Sequence, residues 1–223
     1  MANPTPPRAV KIGTIIDKTL GVLEHNVTPV LAYIVALTVI NGAITFFTRD
    51  MTRVTDGLVL GIAGIAVGIV AAYLLLEAVV RRTGLRSRTH DDTFLPFCVM
   101  SILSVLGVFA GFILLIIPGL VILSRWMLAA TMVIARGDGA KRALGDSWER
   151  TRGAEFSILV ALLALVIAPI VVMIASGVLF DPTDPVGIGI SQLASSAMSA
   201  VIQMMGVALF GLIVGAPAAA TPD

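Results

Sequence analysis

Long apolar runs, separated by short charged segments, dominate the pattern of the 223-residue chain. A helix needs about 20 predominantly apolar residues to cross the hydrocarbon core of a bilayer. Runs of this length predict an all-α integral membrane protein, a single domain with six transmembrane helices at about residues 27–47, 57–80, 94–116, 119–135, 154–180 and 188–214. The composition agrees, because 57% of the residues are hydrophobic and 13% are charged, whereas an ordinary soluble domain is about 25% charged.

The apolar stretch from Thr93 to Ala135 is too long for one span, since a helix rises about 1.5 Å per residue. Pro118 and Gly119 lie inside this stretch, and this pair of residues typically interrupts regular structure. We therefore expect two spans here, joined by a tight turn near residues 117–119.

Two further segments are too charged to span the membrane but show helical periodicity. In residues 8–25, Ile12, Ile15, Ile16 and Leu20 recur at spacings of three and four. This pattern predicts an amphipathic helix that lies in the membrane interface.

The second amphipathic segment covers residues 138–153. Ala140, Ala143, Leu144 and Trp148 form one apolar stripe at helical spacing. We expect an interfacial helix with Leu144 and Trp148 in the headgroup layer, or alternatively a cytoplasmic turn helix that packs against the bundle. In the first case, anionic lipid would be attracted by the cations off the stripe, which include Lys141, Arg142 and Arg150.

Basic residues are distributed unevenly between the loops. With six spans, Arg49 and Arg53 fall on one side of the membrane, and all other Lys and Arg outside the spans fall on the side of the two termini. Because cytoplasmic loops carry an excess of basic residues, both termini are predicted to be cytoplasmic. We expect the short polar tail at residues 217–223 to be disordered.

Glycine pairs at the GxxxG spacing occur four times in the apolar runs. Small residues allow helices to approach closely within a membrane. The pairs therefore predict either intramolecular packing of the bundle or an interface in a homo-oligomer or larger membrane complex, and the spacing does not discriminate between these readings. They are Gly57 and Gly61, Gly64 and Gly68, Gly107 and Gly111, and Gly211 and Gly215.

A polar stripe runs along the sixth predicted span. Ser191, Ser195, Ser199 and Gln203 are four residues apart and share one helical face. Because hydrogen-bonding groups in lipid need partners, this face should point into the bundle. It would either line a polar cleft or form hydrogen bonds between helices.

Arg125 is the most informative charge, because it lies several residues from either end of the fourth predicted span. A central arginine costs about 2.5–3.5 kcal/mol on insertion scales, so a carboxylate, carbonyls, water or a lipid phosphate must compensate. We expect Arg125 either to bind bundle groups such as Gln203 or to bind a ligand or lipid headgroup. Glu77 is a carboxylate that we place within a span, and its spacing from Arg81 predicts a helical ion pair.

Catalytic chemistry is scarce in this sequence. His25 and His90 are the only histidines, and Cys98 is the only cysteine. No Walker loop, HExxH sequence or nucleophile elbow occurs. We therefore expect no enzymatic activity, no metal or other cofactor, and no nucleic-acid partner.

A series of short motifs, from the start of the fourth span to the residues just before the fifth, points to a known family. The motifs are, in order, Ile117-Pro118-Gly119-Leu120, Arg125-Trp126, Ala140, Ala143-Leu144, Ser147-Trp148 and Thr151-Arg152-Gly153. This order resembles the membrane domain of bacterial glycerophosphoryl diester phosphodiesterases and its stand-alone six-span relatives. The family often has an acidic residue where this chain has Arg136-Gly137. The resemblance implies location in a bacterial cytoplasmic (inner) membrane. It implies no activity, since catalysis in the fused enzymes belongs to a separate soluble barrel that these 223 residues lack.

Three functional hypotheses follow. The first is a non-enzymatic membrane protein that handles or senses lipid, with membrane lipids as its partners. The second is a structural or accessory subunit of a larger membrane complex. The third is a small-solute transporter, which the lack of an inverted repeat between the halves disfavours.

Overall fold

The computed structural model describes residues 10–48, 54–85, 92–181 and 183–215. Within these ranges the chain is helical, with no strand. The helices are α1 (Ile12–His25), α2 (Val27–Thr48), α3 (Val54–Arg82), α4 (Phe94–Leu114), α5 (Ile116–Trp126), α6 (Ala129–Arg136), α7 (Ala140–Arg150), α8 (Glu155–Leu179) and α9 (Pro185–Ile213). The tail at 217–223 and the first two residues of the segment predicted at 8–25 lie outside the described residues.

Six segments in the described residues are long and apolar enough to cross a membrane, as the hydropathy pattern predicts. Their bounds differ from the predicted ones by a few residues. They are Val27–Thr48, Val59–Arg82, Phe94–Ile113, Ile117–Arg136, Glu155–Leu179 and Pro185–Ile213. The chain is therefore an all-helical protein with the architecture of a multi-pass membrane bundle.

Helix α9 is the centre of the bundle and packs against α1, α2 and α8. It begins at a well-defined cap, where the Asp184 carboxylate accepts a hydrogen bond of 2.8 Å from the Val186 N–H. Pro185 occupies the first turn, where its missing N–H costs nothing. Near its other end, all residues from Met204 to Phe210 are buried.

Hydrogen bonds between polar side chains fix α9 against its neighbours. The Tyr33 and Ser199 hydroxyls lie 2.8 Å apart and join α2 to α9. Farther toward the start of α9, the Gln192 amide donates a 3.0 Å bond to the Thr45 hydroxyl of α2. The two contacts run in opposite chain directions, so α2 and α9 are antiparallel.

The turn between α4 and α5 lies at Leu115 and not at residues 117–119, where we expected it. Leu115 is extended, with φ −169° and ψ 149°. Pro118 lies in the first turn of α5, where backbone N–H groups have no partner within the helix. Pro118 therefore starts the helix instead of breaking it. Gly119 serves the packing, because a Cβ on Gly111 of α4 would lie only 2.9 Å from the Gly119 Cα.

The fourth span is not the single helix predicted at 119–135, since it is interrupted between α5 and α6 at Met127 and Leu128. Side chains from another helix account for the break. The hydroxyls of Ser147 and Thr151 donate to the Arg125 carbonyl at 2.6 and 3.2 Å. In a continuous helix that carbonyl would accept the N–H four residues later.

The amphipathic segment α1 packs against the bundle through α9 and α8. Ile15 and Thr19 on this face are fully buried, and the Thr19 hydroxyl donates to the Ile15 carbonyl. Leu20 lies on the outer side and is exposed. The apolar positions of α1 are thus divided between a protein contact and the surface.

Candidate ligand cavity

A cavity of about 460 Å³ opens between helices in the middle of the bundle. Its volume lies within the 300–1,000 Å³ range typical of small-molecule sites. Helices α3 and α4 are consecutive but touch mainly at one end, where the Tyr73 ring lies 5.1 and 5.5 Å from the rings of Phe94 and Phe97. Beyond this contact the cavity separates the two helices.

The walls of the cavity divide into a polar and an apolar part. Helices α2 and α9 form the polar back wall, with Tyr33, Asn41, Ser195, Ser196, Ser199 and Gln203. Helices α3, α4, α5 and α6 contribute a mainly apolar wall, which includes Ile65, Ile69, Phe97, Val105, Leu123 and Trp126. The polar stripe predicted on the sixth span therefore lines a cleft over much of its length.

Two side-chain amides on the back wall have no hydrogen-bond partner among the described residues: those of Asn41 and Gln203. Both residues are half-buried and lie within helices long enough to span a membrane. An amide in a hydrocarbon environment needs a partner, because an unsatisfied polar group there costs several kcal/mol. In a bilayer, these two amides are therefore available to water or to the polar group of a ligand.

The cavity reaches the outer surface of the bundle. Ile65 of α3 and Val105 of α4 line the cavity, and they are 59% and 61% exposed. Both belong to candidate membrane spans, so this opening faces the zone that lipid chains would occupy. Ser195, ten residues into α9, is also exposed, because the cavity gives access to it.

Arg125 lies next to the cavity wall but takes part in a separate cluster with protein partners. Its guanidinium forms an ion pair with Glu155, donates a 2.9 Å hydrogen bond to the Trp148 carbonyl, and stacks 4.7 Å from the Trp148 ring centroid. With Ser147 and Thr151 bonded to the Arg125 carbonyl, these five residues tie the end of α5 to α7 and α8. We call this group the arginine cluster.

The partners of Arg125 differ from those expected. Gln203 is on the cavity wall, and Glu77 forms the predicted pair with Arg81 at 2.5 Å. Glu155 is the residue that the sequence reasoning missed. The available signal was its position, since it is the only acidic residue in the strongly apolar segment from 155 to 179. The side chains of Arg125 and Glu155 are 14% and 25% exposed, so the pair is largely removed from solvent.

Helix α7 does not place its apolar stripe in a lipid headgroup layer. Ala140, Ala143 and Leu144 are buried against α4, α5 and α6. The prediction that Leu144 dips into the bilayer is therefore wrong, because the bundle already covers that face. Trp148 is 39% exposed, but its ring stacks against the Arg125 guanidinium. The centroid of the Trp126 ring lies 6.5 Å from that of the Trp148 ring.

The cations of α7 point away from this packed face. Lys141, Arg142 and Arg150 are exposed. Arg142 lies 3.9 Å from Asp138, and Asp138 also lies 3.7 Å from Arg136. These charges form a solvated outer surface, and attraction of anionic lipid to them stays a prediction.

The glycine pairs have different environments. A Cβ on Gly107 would lie 2.2 Å from the Trp126 ring, and Gly111 packs against Gly119, so this pair serves packing within the chain. Within the described part of the chain, no atom lies within 4 Å of a Cβ added at Gly61, Gly68 or Gly211, and for Gly68 the open space is the cavity. Gly64 is in ordinary contact with the Asn41 and Ile44 side chains, whereas Gly215 follows the end of α9 with φ +80°. Nothing about the surroundings of Gly57 is described.

No family model matches this chain. No curated protein and no solved structure shows significant similarity to it either. The resemblance in residues 117–153 therefore stays a prediction, although the structure does bring together Arg125, Ser147, Trp148 and Thr151 from those motifs.

A second opening, of about 730 Å³, lies between α1 and the end of α3 and is lined by residues that include Lys18, His25 and Arg82. Residues 86–91, which follow α3 in the sequence, are outside the described ranges. We therefore centre the candidate site on the cavity between α3 and α4. Within the described residues, no three His, Cys, Asp or Glu side chains are grouped to hold a metal ion.

Proposed function

We propose that this chain is a non-enzymatic membrane protein that binds a lipid-like amphiphile from within the bilayer, in order to handle or sense it. The observation that carries the proposal is a pair of amides, those of Asn41 and Gln203, which have no partner among the described residues and line a cavity that opens sideways between two spans. Such a cavity offers polar contacts inside and apolar contacts at its mouth.

An amphiphile fits this arrangement better than a polar solute does. Its polar group would satisfy the amides, and its chain would leave past Ile65 and Val105 into the hydrocarbon region. A polar solute would have to cross that apolar opening at a cost of several kcal/mol for each unpaired group. The lateral opening thus favours lipid handling over transport of a small solute.

Orientation and location are part of the proposal. The distribution of basic residues supports cytoplasmic termini in a bacterial inner membrane. Reporter fusions after Pro217 and between Asp181 and Pro185 should report the cytoplasm and the opposite compartment, respectively. A periplasmic signal from the fusion after Pro217 would contradict this orientation.

Native mass spectrometry of the gently extracted protein tests the binding directly. We expect one lipid molecule per chain to stay bound after the detergent is removed. Two hydrogen bonds of about 0.5–1.5 kcal/mol each would be lost in the double variant Asn41→Leu, Gln203→Leu. Retention should therefore fall by about tenfold or more.

Gln192→Leu is the matched control, because it also removes a side-chain amide from α9. The Gln192 amide binds the Thr45 hydroxyl and lies outside the cavity lining. This variant should leave the bound lipid in place. The proposal fails if the extracted chain carries no lipid, or if the double variant retains the same lipid as the unsubstituted protein.

The second candidate is an accessory subunit of a larger membrane complex, and one observation favours it. No described atom lies within 4 Å of the position that a Cβ on Gly61 of α3 would take, which leaves room for close approach of another helix. The same mass spectra report this case. A protein partner in place of a lipid, lost on Gly61→Leu, would support the accessory role.

A further inference from the structure

We infer that the ligand of this cavity is a lipid with an uncharged headgroup, bound through a hydroxyl or carbonyl group, and not a phospholipid. This inference rests on the proposed function, since it specifies the chemistry of the same site. Two features support it: the cavity lining has no charged side chain among its described residues, and the neighbouring Arg125 is paired with protein groups.

The cavity lining contains no charged side chain among the described residues that form it. The phosphate of every phospholipid is negatively charged at pH 7, and a monoester such as that of phosphatidic acid carries about −1.5 to −2. Buried charges in proteins are paired or hydrogen-bonded by groups of opposite sign. The cavity provides no cation for such a pair, so a phosphorylated headgroup would enter it at a large cost.

Arg125 is the cation nearest to the cavity lining along the chain, and it already binds partners within the protein. Trp126 lines the cavity, and its neighbour Arg125 is held by Glu155 and by the Trp148 carbonyl in the arginine cluster. The Arg125 Nε–H has no hydrogen-bond partner among the described residues, but it is buried. A phosphate in the cavity could therefore reach the guanidinium only if the side chains of the arginine cluster were rearranged. The cluster therefore neutralises the positive charge that an anionic lipid would need.

The groups that remain available are uncharged donors and acceptors. Each side-chain amide has two N–H donors and one carbonyl acceptor, and each hydroxyl both donates and accepts. Asn41, Gln203 and the exposed Ser195 can therefore bind a hydroxyl, an ester carbonyl or a ketone from several directions. Tyr33 and Ser199 bind one another, which fixes the shape of the wall between them.

The volume of the cavity limits how much of a lipid molecule it can enclose. About 460 Å³ lies at the lower end of the range for drug-sized ligands. It holds a small headgroup with the adjoining part of a chain, and the rest of the chain must extend through the lateral opening. A lipid with a bulky sugar headgroup does not fit this description, whereas a diacylglycerol or a long-chain alcohol does.

A pair of probes that differ only by phosphate tests the inference. Dioleoylglycerol and dioleoylphosphatidic acid, both with brominated chains, would be added at equal low mole fraction to nanodiscs of unbrominated phosphatidylcholine. The protein has two tryptophans, so the Trp148→Phe background leaves Trp126 of the cavity wall as the reporter. Brominated phosphatidylcholine at the same mole fraction gives the quenching expected from the bulk bilayer.

We expect the diacylglycerol to quench Trp126 well above the phosphatidylcholine level, and its apparent affinity to exceed that of the phosphatidic acid by about tenfold. Gln203→Leu should remove this preference, and the control Gln192→Leu should keep it. Phosphatidic acid that binds equally well or better, in a manner that Gln203→Leu abolishes, would overturn the uncharged headgroup but leave the proposed function standing.

A different result would contradict both proposals at once. If neither probe exceeds the bulk phosphatidylcholine level, or if Gln203→Leu changes nothing, the cavity does not bind the lipid. The outcomes therefore separate a wrong headgroup from a wrong site.

Discussion

The arginine cluster and the cavity use polar groups in opposite ways, although Arg125 and Trp126 are adjacent in the chain. In the cluster, each charge has a protein partner: Arg125 binds Glu155 and the Trp148 carbonyl. In the cavity, the amides of Asn41 and Gln203 have no partner among the described residues. Polar residues that bind other protein groups stabilise the packing of the helices, whereas polar residues without such partners are available to a ligand.

This contrast changes the functional reading of the charged residues. The sequence left two roles open for Arg125, an anchor within the bundle or a site for a ligand or lipid headgroup, because intramembrane charges are often functional. It likewise left α7 as either an interfacial helix or a helix packed on the bundle. The structure assigns Arg125 protein partners and buries the apolar stripe of α7. The candidate lipid site therefore moves to uncharged residues, of which Gln203 was already a candidate.

Arg125→Leu should give the largest loss of stability, because it leaves the Glu155 carboxylate unpaired in a mostly buried position. Breaking a buried ion pair on one side costs about 3–5 kcal/mol, and partial exposure of Glu155 should bring this nearer 3 kcal/mol. Thermal unfolding in detergent measures the effect. The double variant Arg125→Leu, Glu155→Leu should recover much of the loss. If Arg125→Leu melts like the unsubstituted protein, the cluster is not structural.

Gly107→Ala should disturb both the cavity and the arginine cluster, because it would displace the Trp126 ring. The new methyl group would lie 2.2 Å from the Trp126 ring, and this ring separates the cavity from Trp148 of the cluster. Overpacking of this kind costs about 1–3 kcal/mol. The control is Gly61→Ala, whose new methyl group would have no described atom within 4 Å. A lower melting temperature and a shifted tryptophan emission are expected for Gly107→Ala alone, and equal behaviour of the two variants would contradict the packing.

Asn41→Leu and Gln203→Leu test the other side of the comparison, because neither substitution removes a hydrogen bond found among the described residues. Replacing an unpaired polar group by an apolar one is neutral or stabilising, so we expect a change within about 1 kcal/mol. Ligand retention should nevertheless fall. Large destabilisation measured by thermal unfolding would show instead that these amides support the frame.

The smallest effect is expected on the outer face of α7. Lys141→Gln, Arg142→Gln and Arg150→Gln together should change stability by about 0.5 kcal/mol or less, because exposed ion pairs contribute little. Retention of the bound lipid should also be unchanged. Loss of that lipid in the triple variant would return the lipid site to α7, as the sequence had indicated.

Hydropathy and helical spacing predicted most of the fold. The six spans follow from the lengths of the apolar runs, and the pair between Glu77 and Arg81 follows from a spacing of four residues within one helix. Both depend on distances along a single helix, which the order of residues determines directly.

Contacts between helices were the part that the sequence did not reveal. The pairing of Arg125 with Glu155, 30 positions away, depends on the relative depth of α5 and α8. The break at Met127 depends on hydroxyls from another helix, and the burial of Leu144 depends on how α7 folds back onto the bundle. The spacing of the serine stripe identified its face but left open whether that face meets a helix or a cavity.

Photocrosslinking from inside the cavity tests the central claim most directly. A small diazirine-bearing amino acid would be placed at Ser195, and for comparison at Leu193, which is 49% exposed on the same helix and outside the cavity lining. After irradiation in native membranes, mass spectrometry should find one discrete lipid adduct at Ser195 and a mixture of bulk phospholipids at Leu193. The adduct at Ser195 should disappear in the double variant Asn41→Leu, Gln203→Leu. The same phospholipid mixture at both positions, or only protein crosslinks at Ser195, would contradict a ligand in the cavity.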